Sequence, residues 1–155
     1  MSKSLRRVTL ALQTAGLDIT PQEIGDATTA QMAADLVGCT IAQIAKSIMF
    51  RGETSGAALL FVTSGANRVC DTRASVLVGE PLGKADATLI RAQTGFAIGG
   101  VAPLGHLPPP CAFFDPHLLT FPTVWAAAGT PRHLFGIDPA RLLEISGATL
   151  AEFTA

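Results

Sequence analysis

The sequence predicts an α/β (α+β) domain: a mixed or mainly antiparallel sheet surrounded by helices. Three observations carry that reading. Helical and strand-like segments follow one another without the strict strand–helix–strand rhythm of a parallel fold. Residues 57–63 form a near-continuous apolar run, the pattern of a strand covered on both faces. The chain has 155 residues, 48% of them hydrophobic and 15% charged, with a formal net charge of −1. That composition excludes a disordered chain and suffices to bury a core without disulfide or metal staples. No linker or internal repeat divides it, so residues 1–155 read as a single domain.

The elements follow in order. Leu5, Val8, Leu12 and Ala15 fall at helical spacing, which predicts an amphipathic helix over 3–15 that stops at Gly16. Residues 17–23 alternate loosely and suggest a short strand interrupted at Pro21. A helix over 29–37 is capped by Thr28 or Thr29 and closed by Gly38. Thr40 then caps a short helix over 41–45, and 45–51 reads as a strand with 52–56 as its turn. Residues 71–78 and 85–93 are helical and end at Gly79 and Gly95. The stretch 96–110 is too rich in Gly and Pro for a regular element. Short strands are expected at 111–114 and 123–128, the latter pairing with 132–137 across a Gly-Thr-Pro turn. Asp138 and Pro139 open the last helix as N-cap and first residue.

Composition removes several function classes. The 11 basic and 12 acidic residues leave no basic surplus, so a DNA-coating protein is not expected. A partner that presents only a nucleic-acid end stays compatible. Mean hydropathy is +0.41, yet the longest apolar run covers 56–62, far short of the ~20 residues that span a bilayer. Lys3, Arg6 and Arg7 before an apolar stretch faintly mimic an export signal, but Gln13 and Thr14 cut that stretch short. A cytoplasmic protein with no membrane partner is the expectation. Cys39, Cys70 and Cys111 are far apart, form no C-x-x-C, and read as buried or half-buried free thiols.

Scarce charge makes Lys46 conspicuous. On a strand it shares a face with Ile48 and Phe50. An ammonium there is unfavourable unless it is paired or opens into a cleft, although a long stem can also carry it to water. The run Gly99-Gly100-Val101-Ala102-Pro103-Leu104-Gly105 is the second feature. Paired glycines let backbone N–H groups approach an anion, though a plain turn fits the same residues. It is neither a Walker A loop nor G-x-G-x-x-G. His106, His117 and His133 show no metal-ligand spacing, and no G-x-S-x-G occurs. Asp115 before Pro116 suits a helix N-cap, and Gly129-Thr130-Pro131 suits a hairpin turn that could also offer a hydroxyl at a pocket rim.

These pieces, in order, resemble the YbaK family, the stand-alone relatives of the editing domain of bacterial prolyl-tRNA synthetase. The matching residues are Ala33-Ala34-x-Leu36-Val37-Gly38-Cys39, Gln43-Ile44-Ala45-Lys46-Ser47-Ile48, Thr94-Gly95-Phe96 with Gly99–Gly105, Asp115, and Ala128-Gly129-Thr130-Pro131. The resemblance implies a compact domain with a twisted, barrel-like sheet. It implies a trans-acting deacylase that hydrolyses the ester of mischarged aminoacyl-tRNA, above all tRNA(Pro) carrying a small non-cognate amino acid. Lys46 would be the catalytic residue, and Gly99, Gly100, Val101, Pro103, Gly129 and Thr130 would bind substrate. No metal, cofactor or covalent nucleophile is implied; water attacks the ester. The partners implied are the tRNA acceptor end and prolyl-tRNA synthetase. Ser47 stands where relatives often carry Thr or a larger polar residue, which leaves the amino-acid preference open. A non-catalytic module that binds an aminoacyl or nucleotide end is the competing reading.

Overall fold

A computed structural model describes residues 2–155. Capping chemistry sets the helices. The Ser2 hydroxyl accepts from the Leu5 N–H at 3.0 Å and starts α1 (Lys3–Thr14), whose buried stripe is Leu5, Val8 and Leu12. Thr29 caps α2 (Ala30–Val37), which ends at Gly38 in the left-handed region, φ +77°. α3 (Asp71–Val78) and α4 (Ala87–Thr94) follow, the latter capped by Asp86. Asp138 caps α5 (Pro139–Ser146), with proline at its first position as expected.

The strands are β1 (Gln22–Glu23), β2 (Ile44–Gly52), β3 (Ala58–Ser64), β4 (Leu82–Lys84), β5 (Cys111–Phe114), β6 (Val124–Ala127), β7 (His133–Ile137) and β8 (Thr149–Leu150). They form one mixed sheet in the order β1-β7-β6-β2-β3-β5-β8, with β4 also on β2. β2·β6, β3·β5 and β5·β8 are parallel and the other pairs antiparallel. The terminal strands β1 and β8 do not pair, so the sheet is open there.

β3 is buried at every position. Leu60 and Val62 pack into the main cluster with α1, Phe114 and Phe135. Leu59 and Phe61 face a smaller aromatic cluster, where Phe61 stacks on Phe113 with ring centres 5.3 Å apart and meets Phe153 edge-on. This is the two-sided burial that the apolar run predicts.

Four details depart from the sequence reading. The helix after Thr40 is only a 3-10 turn, Ile41–Gln43, and the chain enters β2 at Ile44. Gln43 caps backward onto Thr40 and donates to the Thr123 carbonyl, which ends the turn against β6. β4 was not expected from the sequence, and α4 starts at Ala87 behind its Asp86 cap, two residues later than expected. Of 17–23, only Gln22–Glu23 forms strand. Cys111 is exposed rather than buried, at the start of β5. Among the described residues no helix is long and apolar enough to cross a membrane.

β2 decides where the site lies. It pairs with β3 along Ala45–Arg51, with β6 only at Ile44 and Ala45, and with β4 only at Phe50–Gly52. Between those two short ladders, one edge of β2 is left without a strand.

Candidate functional site

A cleft of about 480 Å³ opens along that uncovered edge. Thr28, Thr29 and Ala30 at the start of α2 form one wall. Ala85 and Ile90 come from the β4–α4 side, and Ile98, Gly99 and Val101 from the glycine loop. Thr130 and Pro131, from the β6–β7 turn, complete the rim. Lys46, Ser47, Ile48 and Met49 line the floor. The lysine and the glycine loop, remote in sequence, therefore meet in one place.

Lys46 Nζ donates to the carbonyl of Asn67 at 3.1 Å. Asn67 is itself held: its Nδ2 donates to Asp115 Oδ2 at 2.9 Å. Asp115 is 2% exposed and also accepts from the Ser64 N–H at 3.1 Å and the His117 N–H at 2.9 Å. It does cap the 3-10 turn Pro116–Thr120, as expected, and in addition it ties three chain segments together behind the lysine. Burial lowers the Lys46 pKa, the nearby Arg68 lowers it further, and Asp115 opposes both.

The glycine loop is built on contact. A Cβ on Gly100 would lie 2.9 Å from Thr130 Cα and 3.0 Å from the Gly129 carbonyl oxygen, so the loop rests directly on the β6–β7 turn. Gly99, at φ +88°, has open space on its Cβ side. The Gly100 N–H is taken up by the Ala97 carbonyl at 3.1 Å, so it is not a free donor for a ligand. Thr130 Oγ1 accepts from the Arg132 N–H at 3.1 Å and lies 2.6 Å from His133 Nδ1, which fixes the turn. Of the residues expected at the site, Lys46, Gly99, Val101 and Thr130 line the cleft. Gly100, Pro103 and Gly129 are buried behind its walls, with Gly129 packed against the Ser4 carbonyl of α1.

Sequence reasoning missed Arg7 and left the role of Ser47 open. Arg7 on α1 donates from Nη2 to the Gly95 carbonyl (2.9 Å) and from Nε to the Gly105 carbonyl (3.1 Å), clasping both ends of the glycine loop. Its guanidinium also lies over Phe96, 4.6 Å from the ring centre. Ser47 lines the cleft with its hydroxyl buried and unpartnered among the described residues. An arginine beside the buried stripe of an amphipathic helix gives no local signal of a loop anchored from far along the chain.

The profile of the aminoacyl-tRNA editing domain matches residues 25–145, which spans α2 through α5 and every cleft wall. The chain belongs to that family. This editing domain is 33% identical over 129 residues to the uncharacterized protein YwhH of Bacillus subtilis (strain 168), covering 83% of this chain and 81% of the other. It is 46% identical, with a TM-score of 0.91, to a crystal structure presented as "a putative trans-editing enzyme for prolyl tRNA synthetase", covering 100% and 99% of the two chains. It is 25% identical, with a TM-score of 0.87, to the hypothetical protein APE2540, covering 96% and 99%. Family membership thus supports aminoacyl-tRNA editing as the setting of this chain. In that setting Lys46 offers a partly desolvated cation, and the uncovered β2 edge offers backbone polar groups.

Proposed function

We propose that this editing domain hydrolyses the ester of mischarged aminoacyl-tRNA in trans, with tRNA(Pro) carrying a small amino acid as its substrate. The convergence of Lys46 with Gly99, Val101 and Thr130 in one cleft carries the reading. The Lys46 ammonium holds an oxygen of the aminoacyl-adenosine end, and water attacks the ester carbonyl. Small walls at Ala30, Ala85 and Gly99 suit a small side chain. The near-zero net charge fits a protein that handles one tRNA end and grips few phosphates. The family relation and the prolyl-tRNA synthetase connection of the 46% identical structure support tRNA(Pro) and a synthetase as partners. We assign the hydrolysis to the chain's own groups, without a metal or cofactor.

A deacylation panel tests this: tRNA(Pro) charged with Ala, Cys or Pro, with and without EDTA, using wild type and Lys46→Ala. The expected result is release of the small non-cognate amino acid, insensitive to EDTA. Lys46→Ala should lose about 10²–10³ in rate, the usual effect of removing a preorganised donor. Saturable tRNA binding without release across the panel would make the domain a binding module instead.

A further inference from the structure

Ser47 is the cleft-floor residue that turns its backbone to the β2 edge midway between the β6 and β4 ladders. At the two ends of the β2–β3 ladder, Gly52 N–H donates to the Ala57 carbonyl at 2.9 Å and Gly65 N–H donates to the Ile44 carbonyl at 2.7 Å. In an antiparallel ladder, alternate residues turn both backbone groups to the same neighbour. Ile44, Lys46, Ile48, Phe50 and Gly52 therefore address β3, and Ala45, Ser47, Met49 and Arg51 address the opposite edge. On that edge Ala45 is covered by β6 and Arg51 by β4, with Met49 where the β4 ladder ends. Ser47 falls between them. Its N–H and C=O point into the cleft with no strand to receive them, and its hydroxyl is buried without a partner. Three polar groups left unused on one residue at the floor of a cleft mark a binding position, because buried polar groups are otherwise satisfied.

We infer that Ser47 reads the aminoacyl group as a strand would. This rests on the editing reading above and names the subsite within it. An α-aminoacyl ester carries the donor and acceptor of a strand residue: an α-ammonium and, two atoms away, a carbonyl oxygen. Laid against the β2 edge, the ammonium donates to the Ser47 carbonyl and the acyl oxygen accepts from the Ser47 N–H, as in a hydrogen-bonded antiparallel pair. The N–H thereby polarises the same carbonyl that water attacks, a place the Gly100 N–H cannot fill. Main-chain recognition of this kind is indifferent to the tRNA and demands a free α-amine.

The probe is the non-hydrolysable amide 3′-deoxy-3′-(L-alanylamido)adenosine, with its N-acetyl form as control. Amide hydrogen exchange of the wild-type protein, followed by NMR, should slow at least 10-fold at Ser47 when the free-amine probe is added. Ile48, which addresses β3, should not change. N-acetylation should weaken binding at least 10-fold. Ser47→Pro deletes the cleft-facing N–H together with the hydroxyl and takes no hydrogen bond from the β3 ladder, and Ser47→Ala controls for the hydroxyl. Ser47→Pro should weaken binding at least 10-fold, and by clearly more than Ser47→Ala, which removes the hydroxyl and keeps both main-chain groups. If the proline variant does not fold, the wild-type exchange measurement decides alone. No slowing at Ser47, or equal affinity for the two probes, overturns the inference even where deacylation is observed. Protection at Ser47 without deacylation of any charged tRNA leaves the subsite standing and removes the hydrolase reading.

Discussion

Asn67 binds Lys46 through its carbonyl and Asp115 through its side-chain amide, so a buried carboxylate reaches the lysine through one asparagine. Asp115→Ala leaves the Ser64 N–H, the His117 N–H and the Asn67 amide without their acceptor. Each unsatisfied buried donor costs about 1–3 kcal/mol. A total near 3 kcal/mol lowers Tm by about 6–12 °C in a chain of this size. Asp115→Asn keeps one acceptor oxygen and should lose about half as much. Thermal denaturation checks both, and a Tm for Asp115→Ala within 2 °C of wild type would contradict the three-way anchor.

The pH dependence of Lys46 has a definite sign. Its pKa is lowered, first by burial and then by Arg68, against the pull of Asp115. Above the lowered pKa the folded protein holds the lysine neutral while the unfolded chain still binds a proton, up to about pH 10.4. Stability from this group therefore rises with pH through that window and is absent below it. Ligand affinity moves oppositely, because the ammonium is the binding form. Titrating the alanylamido-adenosine probe against pH should show affinity lost in two steps, one from the probe's own α-ammonium at about pH 8 and one from Lys46 below the ordinary lysine value. In Lys46→Arg the first step should remain and the second should disappear, since guanidinium stays charged. An unchanged profile in the arginine variant would sink the assignment.

Much of this was legible in the sequence, and the exceptions share a cause. Thr29 and Asp138 cap helices through bonds spanning two or three residues, so local patterning reveals them, whereas the caps at Ser2 and Asp86 were not read from the sequence. Lys46 stood out because charge is scarce and its neighbours are apolar. The gap in the β2 edge was not legible. It exists because β6 and β4, far apart in the chain, each pair with β2 over only a few residues. For the same reason the unpaired backbone of Ser47 gave no signal, and Gly100 read as an anion-binding donor when its N–H closes a turn onto Ala97. β4 and β8 are too short to show a period and form only where β2 and β5 offer an edge.

Gly99 and Gly100 should respond differently to alanine. Gly99→Ala meets nothing, but its φ of +88° strains any Cβ by about 1 kcal/mol or slightly more. Tm should fall by about 2–4 °C, with catalysis within about 3-fold. Gly100→Ala drives a methyl against Thr130 Cα and the Gly129 oxygen, both backbone that cannot rotate away. The loop must lift off the turn, so deacylation should fall at least 10-fold. Steady-state kinetics on mischarged tRNA distinguishes the two, and equal losses would mean the loop–turn contact does not shape the cleft.

His106 makes the region behind the loop acid-sensitive. Its Nε2 lies 2.6 Å from the Ala102 carbonyl and donates to it, and Nδ1 is buried without a partner among the described residues. Burial lowers its pKa, the Ala102 bond opposes that, and Arg7 reinforces it. The unfolded chain therefore binds the proton more readily, starting near pH 6.5. Stability from this group is complete above that value and declines as pH falls through the lowered folded pKa. Tm should drop between pH 7.5 and 5, and by a smaller margin in His106→Leu. A variant with the same slope as wild type would place the acid sensitivity elsewhere.

Arg7 ties the first helix to the glycine loop although it lines no wall of the cleft along β2. Two charge-assisted bonds join it to the Gly95 and Gly105 carbonyls, and Phe96 between them packs under the guanidinium. Arg7→Met keeps an apolar stem of similar length over Phe96 but removes both donors. With the site partly buried, a loss of about 2 kcal/mol is expected, or about 4–8 °C in Tm. The loop ends are then free to separate, and Gly99 and Val101 no longer hold one wall of the cleft in place. Binding should suffer more than chemistry: KM for mischarged tRNA rises at least 5-fold while kcat changes less than 3-fold, because Lys46 and Ser47 sit on β2 and do not move. Arg7→Lys supplies one donor in place of a fork and should recover only part of the affinity. A loss of Tm with unchanged KM would show that the clasp stabilises the fold without shaping the cleft.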